Sequence, residues 1–515
     1  MNELDWPGLQ ACAGERVPPA AAVATSAPRV KPMDRSQITW RPVDVEALIE
    51  QDHPARAIWA LSGRLALARF YASIQAVEGV AGRLPWDPRL LISLWLYAYS
   101  RGIGSARELA RRCQYDPAFQ WLCGLETVNH HTLSDFRVRH QSALQELFVQ
   151  VLGVLSAEGL VSLERVMHDG TKIRSDTRRK SFRTEGALGD YLQAAREQVE
   201  ALSTEPTDES ARQQAAQQRA AREREERVEK ALQQLEQIRE TKSGAEEKKQ
   251  ARASTSDPEA RIMKQPGGGY APSYNVQLST EASHKIIVAV DVSQQGNDYA
   301  QLTPAVEQIK ENLEAAPKQM VVDGGFTSRE NIVNMTAQGI DLVGSLPDAA
   351  GQGSGSVTKG HYTAEFARAA FAYDAVENVY RCPAGEVLKA GHQRKHTGST
   401  EQIYRAPAAA CPRCSFKAQC CPKSERRTLS RLEEGPEIEA FRQKMQTSQA
   451  RQIYKQRAEV AEFPNAWFKE KLGLRRFRVR GLIKVKCEAL WAALIYNIQQ
   501  WIRICWLPKL EQASS

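Results

Sequence analysis

The amino-acid sequence predicts a mixed α/β protein built from several units, and three observations predict it. The first third shows helical spacing with helix caps. Two hydrophobic stretches farther along run into an aspartate followed by glycine, at Asp169-Gly170 and Asp323-Gly324. Between them lies a long run rich in Ala, Glu and Gln, with no aromatic residue between Tyr191 and Tyr270. At 515 residues the chain is too long for one compact core and implies about three or four domains. Hydrophobic residues at 42 % and charged residues at 25 % exclude a collagen, a wholly disordered chain and a small disulfide scaffold. The longest apolar run, Leu90 to Ser100, falls well short of the ~20 residues a membrane helix needs. The amino terminus, with Glu3, Asp5 and Glu15, lacks the plan of a signal peptide. A cytoplasmic setting is therefore expected, in which the ten cysteines are reduced thiols or metal ligands.

Residues 1–40 read as a flexible lead, since Pro18, Pro19 and an alanine-rich run carry no periodicity. Residues 41–160 read as a helical domain. Asp87 before Pro88 marks a helix start, and Leu90 to Tyr99 supplies the apolar face. Ser105 with Glu108 is a capping box, and Thr132 with Asp135 is a looser one opening a long helix through Leu155. Three capped helices in this order suggest a helix-turn-helix-like unit offering Arg137, Arg139 and His140 to a duplex; a plain helical bundle with solvated arginines uses the same caps.

Residues 161–350 turn to strand-like spacing, beginning with LERVMHDGTKI and interrupted by a helical insertion over 179–270. In that insertion Leu192, Ala195, Val199 and Leu202 keep 3,4,3 spacing, and Val228, Ala231, Leu235 and Ile238 repeat it beyond the breaker STEPTDES. This predicts an antiparallel helical hairpin that contacts DNA or a second subunit, or serves as a solvated spacer. Strands are expected at Tyr274 to Leu278 and His284 to Val292, then a helix from Tyr299 to Ala315 capped by Asn297 or Asp298. Gln319 to Val322 is a strand ended by Asp323, Thr327 with Glu330 caps the next helix, and Leu342 to Leu346 is a further strand. The low-complexity run Ala349 to Ser356 marks the boundary of a cysteine-rich insertion over 351–435, after which 436–508 returns to helix.

Asp169 and Asp323 each stand where a hydrophobic strand gives way to glycine, so both carboxylates can meet at one sheet edge. Two such groups stay ionised together only with a cation between them, and oxygen-only ligands select magnesium or manganese. A third acid is expected in the carboxyl-terminal helix, where Tyr454, Arg457 and Glu462 fall at offsets of 0, 3 and 8 on roughly one side. From Arg451 to Lys486 eleven Lys/Arg face three acids, a net charge of +8 that equals the excess of the whole chain. Phe463, Trp467, Phe468 and Phe477 are interleaved there; the mixture suits a strand of phosphates and bases, or is simply a solvated face.

These segments resemble, in order, those of a DDE transposase of a bacterial insertion sequence. MHDGTKIRS carries the first aspartate, VVDGGFTSRENI the second and YKQRAEVAEFPNAWFK the glutamate, while WDPRLLISLWLYAYSRG and HHTLSDFRVRH resemble the amino-terminal helical domain. The likeness runs over about residues 35–503. It implies a ribonuclease-H-like catalytic core assembled from about 161–178, 271–350 and 436–508. It implies two Mg2+ (or Mn2+) ions held by Asp169, Asp323 and Glu462, and DNA transposition as the activity. Arg457 and Lys469 would hold phosphates, Tyr454 would orient one, Trp467 would stack on a displaced base, and Lys471, Arg475, Arg476 and Arg478 would extend the DNA contact. The implied partners are double-stranded DNA, as transposon ends and target, and further copies of the chain in a homodimer or larger complex; the implied setting is the bacterial nucleoid. One departure stands out. The family's Tyr-x2-Arg-x3-Glu-x6-Lys signature has three residues before the glutamate, whereas four separate Arg457 from Glu462, so Glu459 competes for the third place and Glu488 does so more remotely.

Cys382, Cys411, Cys414, Cys420 and Cys421 form a second cluster. CPRC is a zinc-ribbon-like knuckle, and Cys382, Cys411 and Cys414 with Cys420 or Cys421 can close a four-thiolate zinc site; reduced, unligated thiols are the alternative. Cys12, Cys113, Cys123, Cys487 and Cys505 are scattered. His130 and His131 read as surface residues, Asp291 as solvent-facing or supporting the site, Asp298 as a helix cap, and Asp176 as an ion-pair partner of nearby basic residues.

Overall fold

The structure is a computed structural model, and it describes residues 38, 40, 42–72, 74, 84–204, 211–345 and 362–514. The expected lead apart from Ile38 and Trp40, most of the STEPTDES breaker and the Ala349 to Ser356 boundary lie outside the described residues. The chain divides into two units, Met1–Asp44 and Val45–Ser515, and the helices and strands named here all belong to the second.

That unit opens with α1 (Pro54–Ser62), α2 (Ala68–Tyr71), α3 (Pro88–Ser100), α4 (Ala106–Arg112), α5 (Pro117–Cys123), α6 (His130–Arg139) and α7 (Gln141–Ala157). Every side chain of α3 from Leu90 to Tyr99 is buried. Asp87 accepts a hydrogen bond from the Arg89 N–H at 2.8 Å and Ser105 one from the Glu108 N–H at 3.4 Å, so these two caps stand. The cap at Thr132 does not. Asn129 accepts from the His131 N–H at 2.8 Å, and starting there lets a regular helix bury Leu133 and Phe136. His140, at φ −116° and ψ 48°, then leaves helical geometry, so the one long helix expected is two.

The central sheet comes from β1 (Val166–Arg174), then, after the insertion, β4 (Arg261–Lys264), β5 (Tyr270–Glu281), β6 (Ile287–Ser293), β7 (Gln319–Val322) and β8 (Asp341–Val343). The insertion holds β2 (Phe182–Arg183), α8 (Glu185–Thr204), α9 (Ala211–Glu240), α10 (Ala245–Lys249) and β3 (Ala253–Ser254). Strand order is β4-β5-β1-β7-β8, and β6 also pairs with β5. β1 runs antiparallel to β5 and parallel to β7. Because β5 pairs with it from Val166 through Arg174, β1 does not end at Asp169 as expected but continues five residues beyond. The two-residue period then sorts the sheet faces. Val166, Met320 and Val322 meet Val306 and Ile309 of α11 (Leu302–Leu313) and Ile332 of α12 (Arg329–Ala337). Met167, Val321 and Val343 meet Val460 and Ala461 of the helix Ser448–Glu470.

Two further caps differ from expectation. α11 starts at Leu302 with no side-chain cap, and α12 is capped by Ser328, which accepts from the Asn331 N–H at 3.1 Å, while Thr327 Oγ1 donates to the Asp323 carbonyl at 2.9 Å. In the insertion, Arg196 pairs with Glu225 and Glu229, and Gln218 Nε2 donates to the Leu202 carbonyl, so α8 and α9 are antiparallel along a seam of Leu188, Val228, Ala231 and Leu235. The β2–β3 pair clamps the base of this hairpin.

The cysteine-rich segment is an antiparallel sheet of β9 (Ala372–Asp374), β10 (Val379–Arg381), β11 (Val387–His396), β12 (Ser399–Arg405) and β13 (Thr428–Glu434), with its own core of Phe371, Tyr380, Leu388, Tyr404 and Leu429. After it come the helices Pro436–Gln446, Ser448–Glu470 and Leu482–Trp501. Pro464, expected to interrupt or end its helix, is buried inside it. Leu482–Trp501 is buried on nearly every side; Trp491 Nε1 donates to the Arg137 carbonyl at 3.0 Å, and Asn497 exchanges two hydrogen bonds with the Ile287 backbone. One helix thus ties the amino-terminal helices and the sheet into one core.

Glu434 joins β13 to the flanking helices by pairing with Arg329 at 2.5 Å and Arg442 at 2.6 Å, its side chain only 11 % exposed. Arg442 first, then Arg329 against the cost of burial, holds this carboxyl below the usual range. Its stabilisation is therefore complete above the ordinary glutamate value and is lost as pH falls through the depressed one. Glu434→Gln should cost about 2 kcal/mol in urea denaturation at pH 7, less than a fully buried pair because both arginines keep some water contact. The gap to the parent should close below about pH 4.

Candidate active site

The register that pairs His168 with Val322 carries one residue further to set Asp169 beside Asp323, at the carboxyl edge of the parallel strands β1 and β7. Asp169 lies within β1 and shares the face of Met167, toward the helix Ser448–Glu470. Its Oδ2 accepts from Asn465 Nδ2 at 2.9 Å, and its Oδ1 accepts from the Gly170 N–H at 3.0 Å and faces Arg457 at 3.8 Å. Asp323 Oδ1 accepts from the Gly325 N–H at 2.7 Å. Arg457 also faces Glu462 at 3.8 Å, and that glutamate is 62 % exposed. Lys469 lies near enough to feel the Asp169 charge, although burial is the larger influence and lowers its ammonium pKa. The structure thus brings Asp169, Asp323, Arg457, Glu462 and Lys469 to one edge.

The competing acids point elsewhere. Glu459 pairs with Lys285 at 2.9 Å, and the fully buried Glu488 accepts from the Arg478 N–H beside Arg137. Tyr454 packs against the cluster of Met167 and Val321. The Trp467 indole donates to Gln499 at 2.9 Å, with its ring against Phe463 and Tyr496. Two residues were missed. Asn465 was legible as one helical turn past Glu462, on the same face. Asp298, expected to cap a helix, instead accepts from Asn275 at 2.7 Å and Gln277 at 2.9 Å.

Burial pushes the Asp169 carboxyl up to about 6; Arg457 opposes the rise, and repulsion from Asp323 and Asp298 adds to it. Crowded, part-buried carboxylate oxygens are the donor chemistry of a hard divalent cation, so the donor type of these residues suits one. Among the described residues no three carboxylate, imidazole or thiolate groups stand close enough to hold a metal, and Glu462 is turned to Arg457.

A family model described as Transposase DDE domain matches residues 381–502, and one described as Transposase domain (DUF772) matches 43–139. Both matches support a DDE-type insertion-sequence transposase. No curated protein matches it. A solved structure, a cryo-EM structure of a piggyBac transposase synaptic complex with hairpin DNA, aligns over 88 % of this chain and 73 % of that one, at 9 % identity and a TM-score of 0.29.

The basic residues of this transposase are not equivalent. Arg137, expected to reach base edges, is 5 % exposed: it donates to the Gly104 carbonyl and lies over the Trp95 ring. A guanidinium enclosed in the helical core is not presented to a duplex, so that assignment is corrected. Arg139 is exposed and pairs with Asp135 at 3.2 Å. Lys471, Arg475, Arg476 and Arg478 are exposed; Arg475 pairs with Glu470, and Arg478 also donates to the Gly102 carbonyl. Asp176 pairs with Arg480 at 3.1 Å and Asp291 with Lys486 at 2.6 Å.

In the transposase's cysteine-rich sheet, Cys382, Cys411, Cys414, Cys420 and Cys421 line one pocket. Burial first pushes the Cys420 thiol up to about 11, and Cys421, Cys411 and Cys382 add to this while Arg427 opposes it. The sulfur chemistry fits zinc, although the sulfurs are not drawn to metal-holding distance. No helix among the described residues is long and apolar enough to cross a membrane.

Proposed function

We propose that this transposase binds the ends of its insertion sequence and carries out divalent-metal-dependent DNA cleavage and strand transfer on a ribonuclease-H-like core. The observation that carries the reading is the adjacency of Asp169 and Asp323 on parallel strands, with Glu462 one guanidinium away on the packed helix. The sheet, with its first strand central and its second antiparallel, supports the fold assignment. Asp169, Asp323 and Glu462 would hold two Mg2+ or Mn2+ ions, which, when bound, supply activation of water or of a DNA 3′-hydroxyl and stabilisation of the leaving oxygen. Arg457 neutralises the crowded acids, and its guanidinium with the Lys469 ammonium would hold phosphate oxygens beside them. The exposed Lys471, Arg475, Arg476, Arg478 and Arg139 would extend the contact along double-stranded DNA, and two or more chains would join in the active complex.

The test is nicking of DNA carrying the element's ends, in Mg2+ or Mn2+ and in EDTA. Strand cleavage only with the cation is expected; DNA binding without cleavage in either condition would identify a silent DNA-binding relative that keeps the fold. We also propose one zinc per chain on Cys382, Cys411, Cys414 and Cys420, with Cys421 as the alternative fourth ligand. Elemental analysis of purified protein should find about one zinc, and loss of it should destabilise the cysteine-rich sheet.

A further inference from the structure

The centre proposed above leaves one part-buried carboxylate without a role. Asp298 stands between β6 and α11 and caps no helix. Asn275 Nδ2 and Gln277 Nε2 both donate to its Oδ1. Gln277 is held in turn, its Oε1 bonded to His168 Nε2 at 3.0 Å, and His168 Nδ1 is bonded to Ser279 Oγ at 2.9 Å. Asn275, Gln277, His168 and Ser279 are all at most 4 % exposed. Burying so many polar groups in a sheet costs stability that valines would not, and the chain of hydrogen bonds ends on a single carboxylate.

That carboxylate fills space left by two glycines. A Cβ on Gly170, next to Asp169, would lie 2.6 Å from Asp298 Oδ1. A Cβ on Gly325 would lie 3.0 Å from Asp323 Oδ1 and 3.8 Å from Asp298 Oδ2, so these two oxygens approach one point. A second observation is independent of the acids. Asn275 Oδ1 and Asn465 Oδ1 are buried and accept no hydrogen bond from any described residue. Each belongs to an amide whose nitrogen is spent on one of these carboxylates, Asn275 on Asp298 and Asn465 on Asp169. Open buried acceptors beside clustered acids are what a hydrated cation satisfies.

We propose that Asp298 is a fourth carboxylate of the metal-holding centre, which draws in with Asp169 and Asp323 when a divalent cation binds, since the three do not stand at metal-holding distance without it, and that Asn275 and Gln277 position it. The inference rests on the divalent-metal reading of the centre. Outer partners of this kind commonly set metal affinity by 10- to 100-fold.

The test is calorimetric titration of the metal-stripped full chain with MnCl2, alongside Asp298→Asn and the smaller Asp298→Ser. Each variant should bind Mn2+ at least tenfold more weakly than the parent, while its melting temperature in EDTA and its DNA affinity in EDTA stay at the parent's values. The Mn2+ concentration giving half-maximal nicking should rise by the same factor. Parent-like Mn2+ affinity in a folded variant overturns the role of Asp298 and leaves the metal centre standing. Failure of the unaltered chain to bind Mn2+ overturns the metal reading and this role together. If both variants lose their melting transition in EDTA, Asp298 is a structural residue and the proposal falls.

Discussion

Asp169→Ala and Asp323→Ala should each reduce cleavage of end DNA by at least about 10³-fold, roughly 4 kcal/mol of transition-state stabilisation, while DNA affinity measured in EDTA changes little. Glu462→Ala should behave the same way and Glu459→Ala should stay near the parent, because Glu459 is engaged with Lys285 whereas Glu462 faces the guanidinium that also faces Asp169. Nicking assays on the four proteins decide it; a dead Glu459→Ala with an active Glu462→Ala would falsify the assignment of the third acid. Lost chemistry can be told from lost fold by pH. The Asp169 carboxyl sits at about 6, above the ordinary aspartate value of about 3.9, so its ionisation costs the fold stability. Without metal, the parent should lose stability as pH rises from about 4 to about 6, and Asp169→Asn should lose less.

Arg137→Ala should destabilise the protein by about 3–5 kcal/mol, the cost of leaving one member of a buried charged set without its partner. Arg137 lies in the helical core, and its charge is what opposes the rise that burial imposes on the fully buried Glu488 carboxyl. Chemical denaturation measures the effect. Arg139→Ala, two residues away and exposed, should leave stability within about 0.5 kcal/mol. A readily folded Arg137→Ala that loses only end recognition would restore the DNA-reading role.

The sequence by itself determined the order of elements, two of the caps, the hairpin insertion and the strand setting of both aspartates, because these follow from local rules. An aspartate before proline, a serine three residues before glutamate, and a hydrophobic run ending at aspartate and glycine each act over a few residues. The match of Asp87 and Ser105 to their caps, and of α9 to its 3,4,3 seam of Val228, Ala231, Leu235 and Ile238, shows how far such rules reach. What only the tertiary structure decided is what touches what across the chain. β1 runs past Asp169 because β5, about a hundred residues later, pairs with its full length. Arg137 is buried because Leu482–Trp501, more than three hundred residues on, closes over α6. Pro464 stays within its helix because that helix is packed along the sheet, and packing outweighs one missing backbone hydrogen bond. Asp298 next to Asn297 is a cap by every local rule. It is held instead by Asn275 and Gln277 of β5, whose amide nitrogens both donate to its carboxylate. A side chain's neighbours along the chain set what it can do, and the long-range pairing of strands and helices sets which of those options is the lowest in free energy.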